Sequence, residues 1–463
     1  MFKVHQVLEA VKAGLVSGSA EEVIDGFSID SRTIKKGEAF IAIKGANFDG
    51  HNFIEQAIEK GAVCIIKELR KINCDYGNLP VIEVENTLRA LGDLAKYIRA
   101  KLNIPLIAVT GSAGKTTVKE MIAWVLSGEF NVLKNEGTKN NFIGLPMSLL
   151  KLNASHDIAV LELGTSRFGE IEYLTSICQP NIGLITNIGP AHLEYFKDLE
   201  GVFSEKSNLL KNLISPFIAL LNADDQYLKR IISKGSNNPF VLGFGLNNDK
   251  ADFFAKNIKA STKGQKFLIN SNSGVSSRLE FNLKTLGHYN IYHAQAAYII
   301  GRMFGMESKD ISARLADFSF PQSRLNSVRF KNVQFVDDTY NSNPLSLKQA
   351  LDTIANIKTK GRKIFVMGDM LELGDSKELF HFQAGRDAAK ACDTLITVGN
   401  LAKLAADSAK ACGLDAKNIF ACDSAHQARE ILFNKISLKK EDIVLVKGSR
   451  GMRMEEIFEN RKP

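Results

Sequence analysis

The stretch VTGSAGKTT, residues 109–117, follows an aliphatic run, PLIAVT, and precedes a segment with helical spacing. A strand, a glycine-rich turn and a helix beginning Lys-Thr-Thr place backbone N–H groups and a helix N-terminus around an anion. Lys115 can then reach β- and γ-phosphates, and the Thr116 hydroxyl can bind magnesium. The usual loop has a glycine five places before its second loop glycine; here that place is Val109, and the turn uses Gly111 and Gly114 in a shorter loop. The chain has no guanine-reading NKxD stretch, which weighs against a switch GTPase. Downstream, Glu162 closes the run DIAVLEL, either as a magnesium carboxylate or as a solvated loop acid. His192, just past a strand end in NIGPAHLEYF, is a metal ligand or, as lone histidines more often are, a satisfied structural residue. Lys206 lies fourteen residues further on, inside a predicted helix.

These residues need a frame. The chain has 463 residues, enough for two or three domains at about 150 residues each. Apolar residues at 45% and charged residues at 24% are ordinary globular usage and argue against long disordered tracts. Short apolar runs among turn signals in residues 1–85 (EAFIAIKG, GAVCIIKE) predict a small α/β unit. Residues 86–320 open with the helical pattern NTLRALGDLAKYIRAKL. They continue with aliphatic strands (PLIAVT, DIAVLEL, NIGLITN, PFIALLN) alternating with helices, the signature of a parallel sheet covered on both faces. Period-two spacing between about 250 and 285 (KFLIN, RLEFNL) adds an antiparallel annex, and a helix is predicted from Tyr289 to about Phe304. Beyond Pro321, residues 321–463 alternate VQFVDD, KIFVMGD, TLITVGN, NIFAC and DIVLVKGS with helices, a third, doubly wound Rossmann-like unit. The fold class is α/β throughout.

Six cysteines (Cys64, Cys74, Cys178, Cys392, Cys412, Cys422) form no CxxC pair and no zinc spacing, so reduced thiols are expected. The net charge of +8 comes from scattered Lys and Arg without interleaved aromatics. No nucleic-acid partner is expected; an anionic small molecule or plain solubility explains the charge equally well. The N-terminal MFKVHQVLEAVKAGLVSG has no continuous apolar run and reads as neither signal peptide nor membrane-inserted helix, so a cytoplasmic protein is expected.

Taken together, TGSAGKTT, TKNNFIGLP (138–146), LELG (161–164) and NIGPAHLEYF (187–196) resemble, in order, the central domain of the Mur ligases. These are three-domain, ATP-dependent amide-forming enzymes of peptidoglycan synthesis, and the resemblance covers nearly the whole chain. SIDSR (28–32), FDGHNF (48–53), DDTYNSNPLSLKQAL (337–351), GDMLELG (368–374) and KGSRGMRME (447–455) look like the branch that adds D-alanyl-D-alanine to UDP-N-acetylmuramoyl tripeptide. The DNPR segment of the diaminopimelate-adding branch is absent. Another Mur-type or folylpolyglutamate-type ligase is the runner-up, and a nucleotide-binding scaffold without turnover is a third reading.

The resemblance implies a central P-loop ATPase-like domain and an N-terminal UDP-binding domain. Gly111, Ser112, Ala113, Gly114, Lys115, Thr116 and Thr117 would hold the ATP phosphates, and Thr116 with Glu162 one magnesium. His192 looks like a ligand of a second magnesium. Lys206 matches the lysine that relatives carry as a carbamate, a change from cation to anion that makes sense beside a metal; a salt-bridged lysine is the plainer alternative. Asn290 matches an adenine-contacting asparagine, whereas His293 stands where many members have a second one, so it contacts nucleotide or simply packs. Arg324, Asp338 and Asn341 match residues that reach ATP from the last domain, although a surface arginine and a plain turn use the same types. Ser31 and Arg32 resemble a UDP-contacting pair, Asp49, Gly50 and His51 a turn bordering uridine, and Asn140 and Asn141 substrate-side residues or mere loop formers. A monomer using ATP and two magnesium ions is expected.

Overall fold

The computed structural model describes residues 2–45, 47–235, 239–261, 264–272, 279–330 and 333–458. Its central sheet runs, in spatial order, Glu280–Leu283, Gly264–Ser271, Phe253–Ser261, Phe240–Gly245, Ile218–Asn222, Ile182–Ile185, Leu106–Thr110, Ile158–Glu162, Val132–Lys134. The pairs from Phe253–Ser261 toward Val132–Lys134 are parallel, and the other two are antiparallel, so the expected annex sits at one end. Every residue of LIAVT, IAVLE and IGLI is buried, because helices cover both faces of a parallel sheet. Register then fixes the chemistry: Glu162 pairs with Val109 and Ile185 with Thr110, so three strands end level at the phosphate loop. In such sheets the ligand crevice lies beyond the carboxyl ends of the strands.

The C-terminal sheet runs Asn326–Phe330, Val333–Asp338, Ile443–Lys447, Lys363–Gly368, Thr394–Val398, Ile419–Cys422, parallel except for its first hairpin. Asp338 pairs with Lys447 at the carboxyl end, facing the central domain. The N-terminal sheet runs Leu15–Ser17, Val81–Val84, Cys64–Glu68, Glu38–Ile41, Gly26–Ser28.

The helix Thr87–Lys101, capped by the Asn86 side chain on the Arg89 N–H, joins the first two domains. One apolar core contains its Leu91, Leu94 and Ile98 together with Ile66 and Ile82 of the N-terminal sheet and Leu145 and Leu174 of the central helices. The helix therefore belongs to both units by packing. All six cysteines are free thiols, and burial pushes those of Cys64, Cys178 and Cys392 up to about 12, out of reach of ordinary thiol chemistry.

In the C-terminal domain, helix Lys377–Ala391 lies against helix Ala402–Ala411 at Gly385, where an added Cβ would stand 2.2 Å from the Ala405 carbonyl oxygen. Backbone cannot yield as a side-chain tip can. Gly385→Ala is expected to cost about 1–3 kcal/mol in urea unfolding. Gly14→Ala, with nothing within 4 Å of the added atom, should change little. Equal effects of the two would show that the helices do not meet at this distance.

Candidate active site

The turn after Leu106–Thr110 needs its glycines. Gly111 has φ 149° and Gly114 φ 81°, and a Cβ on either would collide with Thr186 Oγ1 or His293 Nε2. The neighbouring turn at 186–189 grips the loop from outside. Ser112 N–H donates to the Asn187 carbonyl (3.1 Å) and Ala113 N–H to Asn187 Oδ1 (2.9 Å), while Ser112 Oγ donates to the Gly189 carbonyl (2.9 Å). By contrast, the amides of Gly114, Lys115, Thr116 and Thr117 donate to no acceptor among the described residues. They open helix Lys115–Leu126 and concentrate its positive end at one spot. Lys115 Nζ folds back onto the Gly111 carbonyl at 2.8 Å. Desolvation lowers its pKa, Glu162 opposes that, and Arg324 adds to it.

Glu162 is 1% exposed, yet both its carboxylate oxygens have a partner: Thr116 Oγ1 donates to one at 2.6 Å and Asn140 Nδ2 to the other at 2.7 Å. Sequence reasoning missed what holds it. Asn135 clamps the Glu162 backbone from both sides, accepting its N–H (2.9 Å) and donating to its carbonyl (2.9 Å). Lys119, one turn after Lys115 and wholly buried, fixes Asn135 in turn by donating to its carbonyl at 2.5 Å while pairing with Glu120 at 2.7 Å. Asn141 Oδ1 accepts from Gly144 N–H at 2.8 Å, starting the helix Gly144–Leu149.

A cavity of about 630 Å³ opens over these groups. Its walls include Ser112 to Thr117, Asn140, Asn141, Glu162, His192, Asn290, Arg324, Asp338 and Asn341, gathering residues up to 229 positions apart, from Ser112 to Asn341, in one space. Gly111 and Lys206 are not among the residues of the wall. Lys206 is 1% exposed and has no hydrogen bond or ion pair among the described residues. The neighbouring Glu205 is spent on the N–H groups of Gly169 and Ile171. Burial lowers the Lys206 pKa well below that of an ordinary lysine, with Lys115 reinforcing and Glu205 opposing.

The C-terminal domain closes the cavity. Asn343 Nδ2 donates to the Ser112 carbonyl at 3.1 Å, and Tyr340 hydroxyl donates to Thr138 Oγ1 at 2.7 Å. Arg324 stacks on the Tyr340 ring, 4.1 Å from its centre, with no hydrogen bond or ion pair among the described residues. Asp338 is paired with Lys447 at 2.6 Å, and Lys447 also donates to the Asn341 carbonyl at 2.8 Å. The Asn290 amide is spent on the protein, donating to the Leu286 carbonyl (2.8 Å) and facing His293 Nδ1 (3.1 Å).

Thr116 and Glu162 offer hard oxygen donors beside the free amides, the donor class magnesium takes, and His192 adds an imidazole on the same wall. No three His, Cys, Asp or Glu side chains converge among the described residues. A magnesium ion here would draw its other ligands from water and phosphate oxygens, as it commonly does.

The N-terminal candidates stand apart from this cavity. Ser31 Oγ donates to Gln56 (2.6 Å), and Arg32 pairs with Asp30 (2.8 Å) while remaining well exposed. Gly50 begins the turn Gly50–Phe53. Both His51 nitrogens are in use, Nδ1 against Asp49 (2.7 Å) and Nε2 accepting the Glu68 N–H (3.0 Å), and Arg70 pairs with Asp49 at 2.7 Å.

Three family models match in succession: "Mur ligase family, catalytic domain" over 23–99, "Mur ligase middle domain" over 109–301 and "Mur ligase, glutamate ligase domain" over 323–450. A UDP-N-acetylmuramoyl-tripeptide--D-alanyl-D-alanine ligase of Bacillus subtilis is 33% identical over 99% of this chain and 97% of its own length. Among solved structures, MurF from Acinetobacter baumannii aligns with a TM-score of 0.88 at 31% identity, covering 99% of this chain and 98% of that one. The MurF ligase of Thermotoga maritima in complex with ADP aligns at 0.82 with 28% identity, covering 94% and 96%.

His293 yields a measurable consequence. Burial, with Arg324 adding, pushes its pKa down to about 3. An unfolded histidine titrates near about 6.5, so between these values the folded chain binds fewer protons than the unfolded one. This contribution to stability is whole above about pH 6.5 and falls by up to roughly 1.4 kcal/mol per pH unit as pH drops toward 3. His293→Asn is expected to flatten the acid limb of stability against pH, measured by urea unfolding. An unchanged slope would mean that the imidazole is not held neutral.

Proposed function

The chain belongs to the Mur ligase family, and from that membership we propose that it joins D-alanyl-D-alanine to UDP-N-acetylmuramoyl tripeptide with cleavage of ATP to ADP and phosphate. The observation that carries this reading is the cavity in which a phosphate loop with free amides, a buried carboxylate and an unpaired arginine from the next domain meet, in a chain aligned end to end with ligases of that name.

Amide formation from a carboxylate is uphill in water, so the acid needs a better leaving group. The tripeptide's terminal carboxylate attacks the γ-phosphorus and ADP leaves; the dipeptide's amine then attacks the acyl phosphate carbon, and the tetrahedral intermediate expels phosphate. In the first step, the amides of Gly114 to Thr117 bind the phosphate chain, and Lys115 and Arg324 balance charge on the transferred group. Thr116 and Glu162 would hold one magnesium ion and His192 a second, which would supply the screening that two anions need to meet. Asn140 and Asn141, in the same wall, would face the peptide substrate. Asn290, Asp338 and Asn341 frame the nucleoside end, and closure of the C-terminal domain excludes water from the acyl phosphate. In the first domain, Ser31, Arg32, Asp49, Gly50 and His51 border the UDP moiety.

Lys206 fits a carbamate. A buried, unpaired ammonium is costly, and burial favours the neutral amine, the form that attacks carbon dioxide; an N–C bond forms, a proton leaves, and an anion results. No helix among the described residues is long and apolar enough to cross a membrane. The reading places the enzyme in the cytoplasm as a monomer with small-molecule substrates and no nucleic-acid partner.

Purified protein given the muramoyl nucleotide, D-alanyl-D-alanine, ATP and magnesium is expected to yield the pentapeptide nucleotide with one ADP and one phosphate. Lys115→Ala should lower kcat by about 100- to 1,000-fold or more. Phosphate release indifferent to the dipeptide would overturn the substrate assignment. Lys206→Ala is expected to abolish turnover and to regain part of it with added short carboxylic acids; full activity without them would remove the carbamate.

A further inference from the structure

His192 meets a carboxylate that the reaction has not yet used. Its Nδ1 lies 2.6 Å from an oxygen of Glu372, which the C-terminal domain carries in GDMLELG. A carboxylate can only accept, so Nδ1 holds the proton. An imidazole so held can bind a metal only through the Nε2 lone pair, the arrangement by which a carboxylate orients a metal-binding histidine.

Backbone geometry supports a built contact. His192 has φ 54° and Glu372 φ 61°, so two non-glycine residues in the left-handed region face each other across the domain seam. Such a backbone conformation is unfavourable for a residue with a side chain and persists where its surroundings over-determine it. Here the Glu194 N–H donates to the Glu372 carbonyl at 3.3 Å. Gly374, at φ 56°, lets the two chains approach so closely that a Cβ would stand 3.1 Å from Glu194 Cα. The same docked domain touches the phosphate loop through Asn343 and the 138–141 loop through Tyr340.

We infer that Glu372 is a positioning residue that sets the tautomer and direction of His192, so that the second cation site is completed when the C-terminal domain docks. The inference rests on the proposed role of His192 as a magnesium ligand.

The test uses the full chain with Mn²⁺ and a non-hydrolysable ATP analogue, free Mn²⁺ being followed by electron paramagnetic resonance. Two bound ions are expected in the parent protein, and His192→Ala should lose the weaker. Glu372→Ala should weaken that same ion about 10- to 100-fold while leaving the tighter one and the unfolding temperature unchanged. Glu372→Gln, whose amide oxygen still accepts from Nδ1, should retain most of the affinity. Nitrogen shifts of the His192 ring in the parent protein should show the proton on Nδ1. If Glu372→Ala binds both ions normally while His192→Ala does not, the inference falls and the role of His192 stands. If Glu372→Gln is as weak as Glu372→Ala, the carboxylate is itself a ligand and the positioning role is wrong. If His192→Ala keeps both ions, the underlying metal assignment fails and the inference with it.

Discussion

Four adjacent backbone amides, Gly114 to Thr117, open a buried helix without an acceptor among the described residues. These residues line the open cavity, and a helix start focuses such N–H groups on one point. The rest of the central domain keeps that point open. Three fully buried strands end level around it, and the outer side of the loop is tied down by Thr186 and Asn187 and by the Ser112 hydroxyl on the Gly189 carbonyl. An anion is the partner the geometry lacks, and the polyphosphate of a nucleotide has the length to use all four donors.

Around that point, charge is arranged with unequal compensation. Glu162 accepts one hydrogen bond at each carboxylate oxygen, and Asp338 is paired with Lys447. Lys115 leans on a carbonyl, Arg324 on an aromatic face, and Lys206 on nothing polar among the described residues. Cations are thus left over beside the cavity while its carboxylates are spoken for. This suits a site that must gather two anionic reactants, and it explains why burial drives Lys115 and Lys206 toward their neutral forms before substrate arrives.

The sequence was legible where function follows local pattern. The phosphate loop reads from its glycines and its flanking strand and helix, and Glu162 from its place at the end of an aliphatic run. It was silent where placement depends on contacts distant along the chain. Lys119 has the look of a solvated helix residue, yet it is fully buried, holding Asn135, which holds Glu162 twenty-seven positions away. Glu372 lay within a quoted motif without being singled out, because its partner is 180 residues distant. The short strands Val132–Lys134 and Asn326–Phe330 carry too little alternation to be read. The helix that Asn86 caps packs on both the N-terminal sheet and the central helices, which no spacing rule reveals.

Closure follows from the same electrostatics. The direct polar contacts that bring Asn343 and Tyr340 to the central domain are neutral hydrogen bonds, each worth about 1 kcal/mol net. Against them, Arg324 approaches closely enough to disfavour charge on Lys115 and His293. Docking without a ligand therefore sets these bonds and the His192–Glu372 contact against like-charge repulsion at Arg324. A polyphosphate placed between Lys115 and Arg324 reverses the sign of that repulsion, and a ligand shifts a conformational equilibrium by its differential affinity for the two states. A nucleotide is in this sense part of the seam: it would supply negative charge between Lys115 and Arg324, beside the His192–Glu372 contact on the same cavity wall.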